Sequence, residues 1–129
     1  MHFEGSATIA NRGTMVATGT KSTGVLLQGG GRLVNGAASF LGARISGSYL
    51  GVQIAGDVGT VINLGTITSS DMPGSGAVAL MQGGTVTNGS IAVTGALISG
   101  GGAAAVYIIG GTSALVTNQG TIADRKSVV

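Results

Sequence analysis

Residues 61–67 read VINLGTI, and residues 116–122 read VTNQGTI. The shared phrase, an apolar-x-Asn triplet followed by Gly-Thr-Ile, is the end of a pattern that runs through the chain. Aligning on asparagine gives IAN at 9–11, LVN at 33–35, VIN at 61–63, VTN at 86–88 and VTN at 116–118. A second phrase follows each: GTM at 13–15, ARI at 43–45, GTI at 65–67, GSI at 89–91 and GTI at 120–122. A third comes later: GVLL at 24–27, GVQI at 51–54, AVAL at 77–80 and AVYI at 105–108, recurring at intervals of 27, 26 and 28 residues. Self-similarity at such a period marks a stacked repeat architecture.

Each phrase is short, rich in β-branched residues, alternating, and bounded by Gly, Asn or Ser, which is how a strand with one buried face reads. Three strands per repeat predict an all-β parallel β-helix (β-solenoid) of about four to five coils, with equivalent strands of successive coils paired in parallel. Composition agrees. Of 129 residues 26 are glycine, 43% are apolar and only 8% charged, which is too apolar for a disordered linker. One coil buries too few side chains to offset the entropy of fixing its backbone, so the rungs must fold together.

Alternation assigns directions. Ile9, Leu33, Val61, Val86 and Val116 should point inward, as should Met15, Ile45, Ile67, Ile91 and Ile122 from the second strand. Val25 and Leu27, with their counterparts in later coils, complete the core, while Thr14, Arg44, Thr66, Ser90 and Thr121 face water. The asparagine column has its own mechanism: Asn11, Asn35, Asn63, Asn88 and Asn118 can pass amide hydrogen bonds from rung to rung at one corner. Coil two inserts residues between Asn35 and Ile45, placing Phe40 and Leu41 in a loop. Coil four reads as one residue short after Asn88, with extra material, VTGALISGGG, at 93–102.

No catalytic, cofactor-binding or metal-binding constellation emerges. GTMVATGTKST at 13–23 separates Gly19 from Lys21 where a phosphate-binding loop needs them adjacent, and GSGAVA at 74–79 reads as a turn before a third strand. NGS at 88–90 is formally a glycosylation acceptor, but Asn88 belongs to the repeated column. Cysteine is absent, which excludes disulfides and thiolate metal sites. Before the last residues the acids are Glu4, Asp57 and Asp71, set at different corners, and His2 is the sole histidine, so the expectation is a protein that is not an enzyme. The six basic residues are too scattered for nucleic-acid binding, despite a net charge of +2. The longest apolar run, AAAVYII at 103–109, is too short to span a bilayer. One outward row offers a candidate contact face for a glycan or host-surface ligand: Leu26, Gln53, Ala79 and Tyr107, with Tyr49 beside it.

GTVTNGSI, VINLGTI and LVTNQGTI resemble the repeats of bacterial autotransporter and adhesin-type passenger domains, over residues 9–123. The resemblance implies a right-handed β-helix, secretion to the bacterial cell surface, adhesion or scaffolding, and an outer-membrane barrel supplied by regions outside these residues. A carbohydrate-binding or polysaccharide-processing β-helix is the alternative. MHFEGSATIA at 1–10 lacks the basic segment and apolar run of a secretory signal. DRKSVV at 124–129 leaves the pattern and reads like the translation of a common sequencing adapter, setting it apart from a solenoid segment at 1–123. The expectation is therefore a fragment of a longer protein, prone to end-to-end self-association through uncovered strand edges.

Overall fold

The computed structural model describes residues 1–70, 72–102, 104–111 and 113–124. They form three five-stranded parallel sheets wound as a β-solenoid of about four turns. The first sheet of each coil holds β2 (Ala7–Asn11), β5 (Gly31–Asn35), β8 (Gly59–Asn63), β11 (Gly84–Asn88) and β14 (Ala114–Asn118). The second holds β3 (Thr14–Ala17), β6 (Arg44–Gly47), β9 (Thr66–Ser69), β12 (Leu97–Gly100) and β15 (Thr121–Asp124). The third holds β4 (Thr23–Leu27), β7 (Leu50–Ile54), β10 (Gly76–Leu80) and β13 (Ala104–Ile108), preceded by β1 (His2–Phe3). β15 extends one residue into the off-pattern stretch, and residues 125–129 lie outside the described residues.

Register is constant because like side chains lie over like. Ile9, Leu33, Val61, Val86 and Val116 pair in sequence across five rungs. The middle rungs of this column are sealed, with Leu33, Val61 and Val86 all at 0% exposure, whereas Val116 on the last described rung is 44% exposed. The third sheet contributes Val25, Val52 and Val78 and, two residues on, Leu27, Ile54 and Leu80, all fully buried. Where the second sheet turns into the third, small residues make room: a Cβ on Gly24 would lie 2.9 Å from Ile45 Cγ2, and one on Gly51 2.8 Å from Ile67 Cγ2. The isoleucine branches fill the volume that a larger residue would need.

Coil four corrects the expected placement of its second strand. Ile91 does not point inward; it is 89% exposed. Its place in the core is taken by Ile98, which pairs with Ile67 and Ile122 and is fully buried. Ser90 likewise lies off the second strand, in a loop. The extra material is residues 89–96, not 93–102, since 97–100 is the strand β12 itself. The physical reason lies in coil two, where residues 36–43 form the same loop. Ala37 and Phe40 exchange backbone hydrogen bonds of 3.0 and 2.9 Å, and Ser90 and Val93 exchange bonds of 2.9 and 3.0 Å. Gly36 and Gly89 open the two loops at φ 90° and 79°. Phe40 and Leu41 stand exposed in the first loop as expected, at 45% and 53%.

The underlying unit is thus two coils, one with a tight corner after asparagine and one with an eight-residue loop. Substitution separates the two isoleucines: Ile98→Val should lower stability by about 1 kcal/mol, and Ile91→Val should change it by less than about 0.5 kcal/mol. Equal losses in urea unfolding would contradict the assignment of β12.

Candidate functional site

The five predicted asparagines form one continuous ladder. Asn11 Nδ2 donates to Asn35 Oδ1 at 2.9 Å, Asn35 to Asn63 at 2.9 Å, Asn63 to Asn88 at 2.8 Å and Asn88 to Asn118 at 3.0 Å. Each donating nitrogen also lies within reach of the carbonyl just before the second strand of its own coil: Gly13, Ala43, Gly65 and Ala96. It reaches a second carbonyl on the following coil, at Arg44, Thr66, Leu97 and Thr121. In the tight corners the side-chain oxygen of Asn11, Asn63 and Asn118 accepts from the glycine N–H two residues on, closing an Asx turn. The loop corners lack that bond because glycine follows the asparagine directly. Asn35, Asn63 and Asn88 are fully buried, so the column is part of the core and NGS at 88–90 presents no accessible asparagine in the folded chain. Among the described residues, no buried side-chain nitrogen or oxygen lacks a partner.

The candidate contact face lies on the third sheet. His2, Leu26, Gln53, Ala79 and Tyr107 stand in one outward row by strand register. Gln53, Ala79, Tyr107 and Tyr49 come together around a cleft of about 360 Å³, while Leu26 continues the row without lining it. Ala79 is only 2% exposed although it faces outward, because longer neighbours stand over it. Tyr49 leaves the corner before β7, held by its N–H to Ser22 O at 2.9 Å and by Gly76 N–H to its own carbonyl at 3.0 Å. Its hydroxyl lies over Gly74, where an added Cβ would sit 3.2 Å away and where φ is +80°. Met81 and the turn at 74–76 also line the cleft, and neither is evident from strand alternation.

A chain of hydroxyls marks the corner between the second and third sheets. Ser22 and Ser48 Oγ are 3.0 Å apart, Ser48 donates to Gly19 O, Ser70 to Ser48 O, and Ser75 to Ser70 O at 2.7 Å. The spacing of Ser22 and Ser48 matches the coil period and could have signalled it. A more open groove nearby is lined by Arg44, Ser46, Ser48, Thr68 and Ser70 among others. Of the acids, Asp57 closes a turn by accepting from Val58 N–H at 2.7 Å, and Asp71 lies outside the described residues. His2 Nε2 lies 2.7 Å from Gln28 Oε1. Among the described residues no three His, Cys, Asp or Glu side chains are gathered to hold a metal ion, and no helix is long and apolar enough to cross a membrane. The segment 13–23 forms β3, the turn after it and the first residue of β4, and 74–79 a turn and most of β10. Compared with protein-family models, curated proteins and solved structures, the chain matches none.

Proposed function

We propose that this chain is a non-catalytic spacer, a segment of a bacterial surface-exposed β-solenoid that extends and presents a surface for adhesion. The observation that carries the reading is the uninterrupted stack itself. Buried polar groups are spent on holding one rung to the next, through the asparagine ladder, and not on gathering reactive groups at one place. A parallel stack advances about 4.8 Å per rung whatever its length, so the design suits reach and stiffness. The partner is a host-surface or glycan ligand, and membrane attachment belongs to regions outside these residues. The test is to express the complete gene in a bacterium and label intact cells with antibody against residues 1–123. Surface labelling is the expected result; signal only after lysis would defeat the reading.

The same architecture predicts self-association of the 129-residue chain. Among the described residues β13, β14 and β15 each end their sheets, and Leu115 and Val116 on the last described rung are 59% and 44% exposed. Open parallel edges with apolar contacts accept further strands without closing. Light scattering should grow with concentration, and a monomer across the accessible range would contradict it.

A further inference from the structure

We infer that the cleft between Gln53 and Tyr107 is a binding slot for one neutral pyranose ring of a glycan. The slot arises from a change of side-chain size along a single row. Gln53, Ala79 and Tyr107 occupy successive rungs in register, so the two long side chains are separated by two rung spacings, about 9.6 Å. Ala79 is 2% exposed beneath its longer neighbours, so a flat ring sits at the mouth of the cleft, against the outer parts of Gln53 and Tyr107 and not against the alanine.

Polarity selects the class of ligand. Neither the Gln53 amide nor the hydroxyls of Tyr49 and Tyr107 hydrogen-bond any described residue, so three polar groups border an otherwise apolar cleft with their bonding capacity free. A pyranose has an apolar C–H face for Tyr107 and a rim of hydroxyls for those groups. Among the described residues the lining includes no Asp, Glu, Lys, Arg or His, which favours a neutral sugar over an acidic one. An anionic sugar would find its countercharge at Arg44, in the groove on the second sheet. The inference goes beyond the spacer reading and does not depend on it, because binding is measured on the purified chain wherever the protein resides.

The chain supplies its own probe. It has two tyrosines and no tryptophan, and both tyrosines line the cleft, so intrinsic fluorescence reports on this site. Hexasaccharides of glucose, galactose and N-acetylglucosamine are titrated, with hexagalacturonate as the acidic control. The expected result is a saturable change with at least one neutral hexasaccharide, at a Kd on the order of 1 mM or tighter. Tyr107→Ala should weaken binding at least about tenfold, read by calorimetry, without changing the unfolding midpoint, since Tyr107 is 46% exposed. Ala79→Leu should push the side chains that cover it into the cleft and abolish binding, with the unfolding midpoint measured beside it because Ala79 is 2% exposed. No saturable change with any neutral hexasaccharide would overturn the inference. So would binding indifferent to both substitutions, or binding of hexagalacturonate alone that is lost in Arg44→Ala.

Discussion

Replacing Asn63 by leucine should lower stability by about 3–5 kcal/mol, a large share of the roughly 5–15 kcal/mol that holds a domain of this size together. Leucine has the same number of side-chain heavy atoms as asparagine, branched at the same carbon, so the substitution removes hydrogen bonds without opening a cavity. Asn63 sits at the middle of the ladder with no exposure to water. Its oxygen accepts from Asn35 Nδ2 and from Gly65 N–H, and its nitrogen donates to Asn88 Oδ1 and Leu97 O, with Gly65 O also within reach. Removal strips Asn88 Oδ1 and the Gly65 N–H of the partners they have in the core, and each buried group left unpaired costs about 1–3 kcal/mol. Asn35 Nδ2 suffers less because it retains Thr66 O at 3.0 Å. Asn118→Leu is the control: Asn118 lies exposed on the last rung, and Asn88 Nδ2 keeps Thr121 O at 2.9 Å without it. That variant should lose less than about 1 kcal/mol. Urea midpoints measure both, and equal losses at the two positions would mean that the column contributes only as turn residues.

The sheets and the ladder were legible because stacking forces chemical identity into columns. Val61 lies between Leu33 and Val86, and Asn63 between Asn35 and Asn88, so matching letters at one interval is matching positions in space. The second strand of coil four was misread because Gly-Ser-Ile at 89–91 imitates Gly-Thr-Ile at 65–67. The imitation fails on one detail: in coil three Leu64 separates asparagine from glycine, whereas Gly89 follows Asn88 directly. Comparing coil four with coil two instead sets GAASFLGARI at 36–45 over GSIAVTGALI at 89–98, and places Ile98 over Ile45. What selects the true strand is the carbonyl before it. Ala43 and Ala96 each accept a backbone N–H from the next coil, from Thr66 and Thr121 at 2.9 Å, and Ile91 has no such neighbour. The outward row with Gln53, Ala79 and Tyr107 followed from the same columns. Its depth did not, because the cleft is walled by Met81 and by the turn against which Tyr49 rests, and strand alternation says nothing of where a corner folds.

The largest expected effect falls on a residue without a side chain. Gly84 opens β11 at φ +132°, a conformation that residues with a Cβ rarely adopt, and an added Cβ would stand 1.9 Å from Gly59 O. Gly59 is its register partner on the rung below, so the obstruction is backbone and cannot rotate aside. Relief requires coils three and four to separate by more than an ångström, which breaks the ladder between β8 and β11. Conformational strain of about 1–3 kcal/mol then adds to lost hydrogen bonds, and Gly84→Ala should cost upwards of about 4 kcal/mol. Because each rung rests on its neighbours alone, the loss should appear as early unfolding of the rungs beyond Gly84, with amide exchange rising over residues 84–118 before residues 31–63. Gly95→Ala is the counterpart. Nothing lies within 4 Å of its added Cβ, and the position shows no left-handed φ, so reduced freedom of the unfolded chain should stabilise by about 0.4–1 kcal/mol. A Gly84→Ala chain that unfolds at the parent midpoint would show that the rungs are not in contact there, and with that contact would go the parallel register on which the ladder and the binding slot both stand.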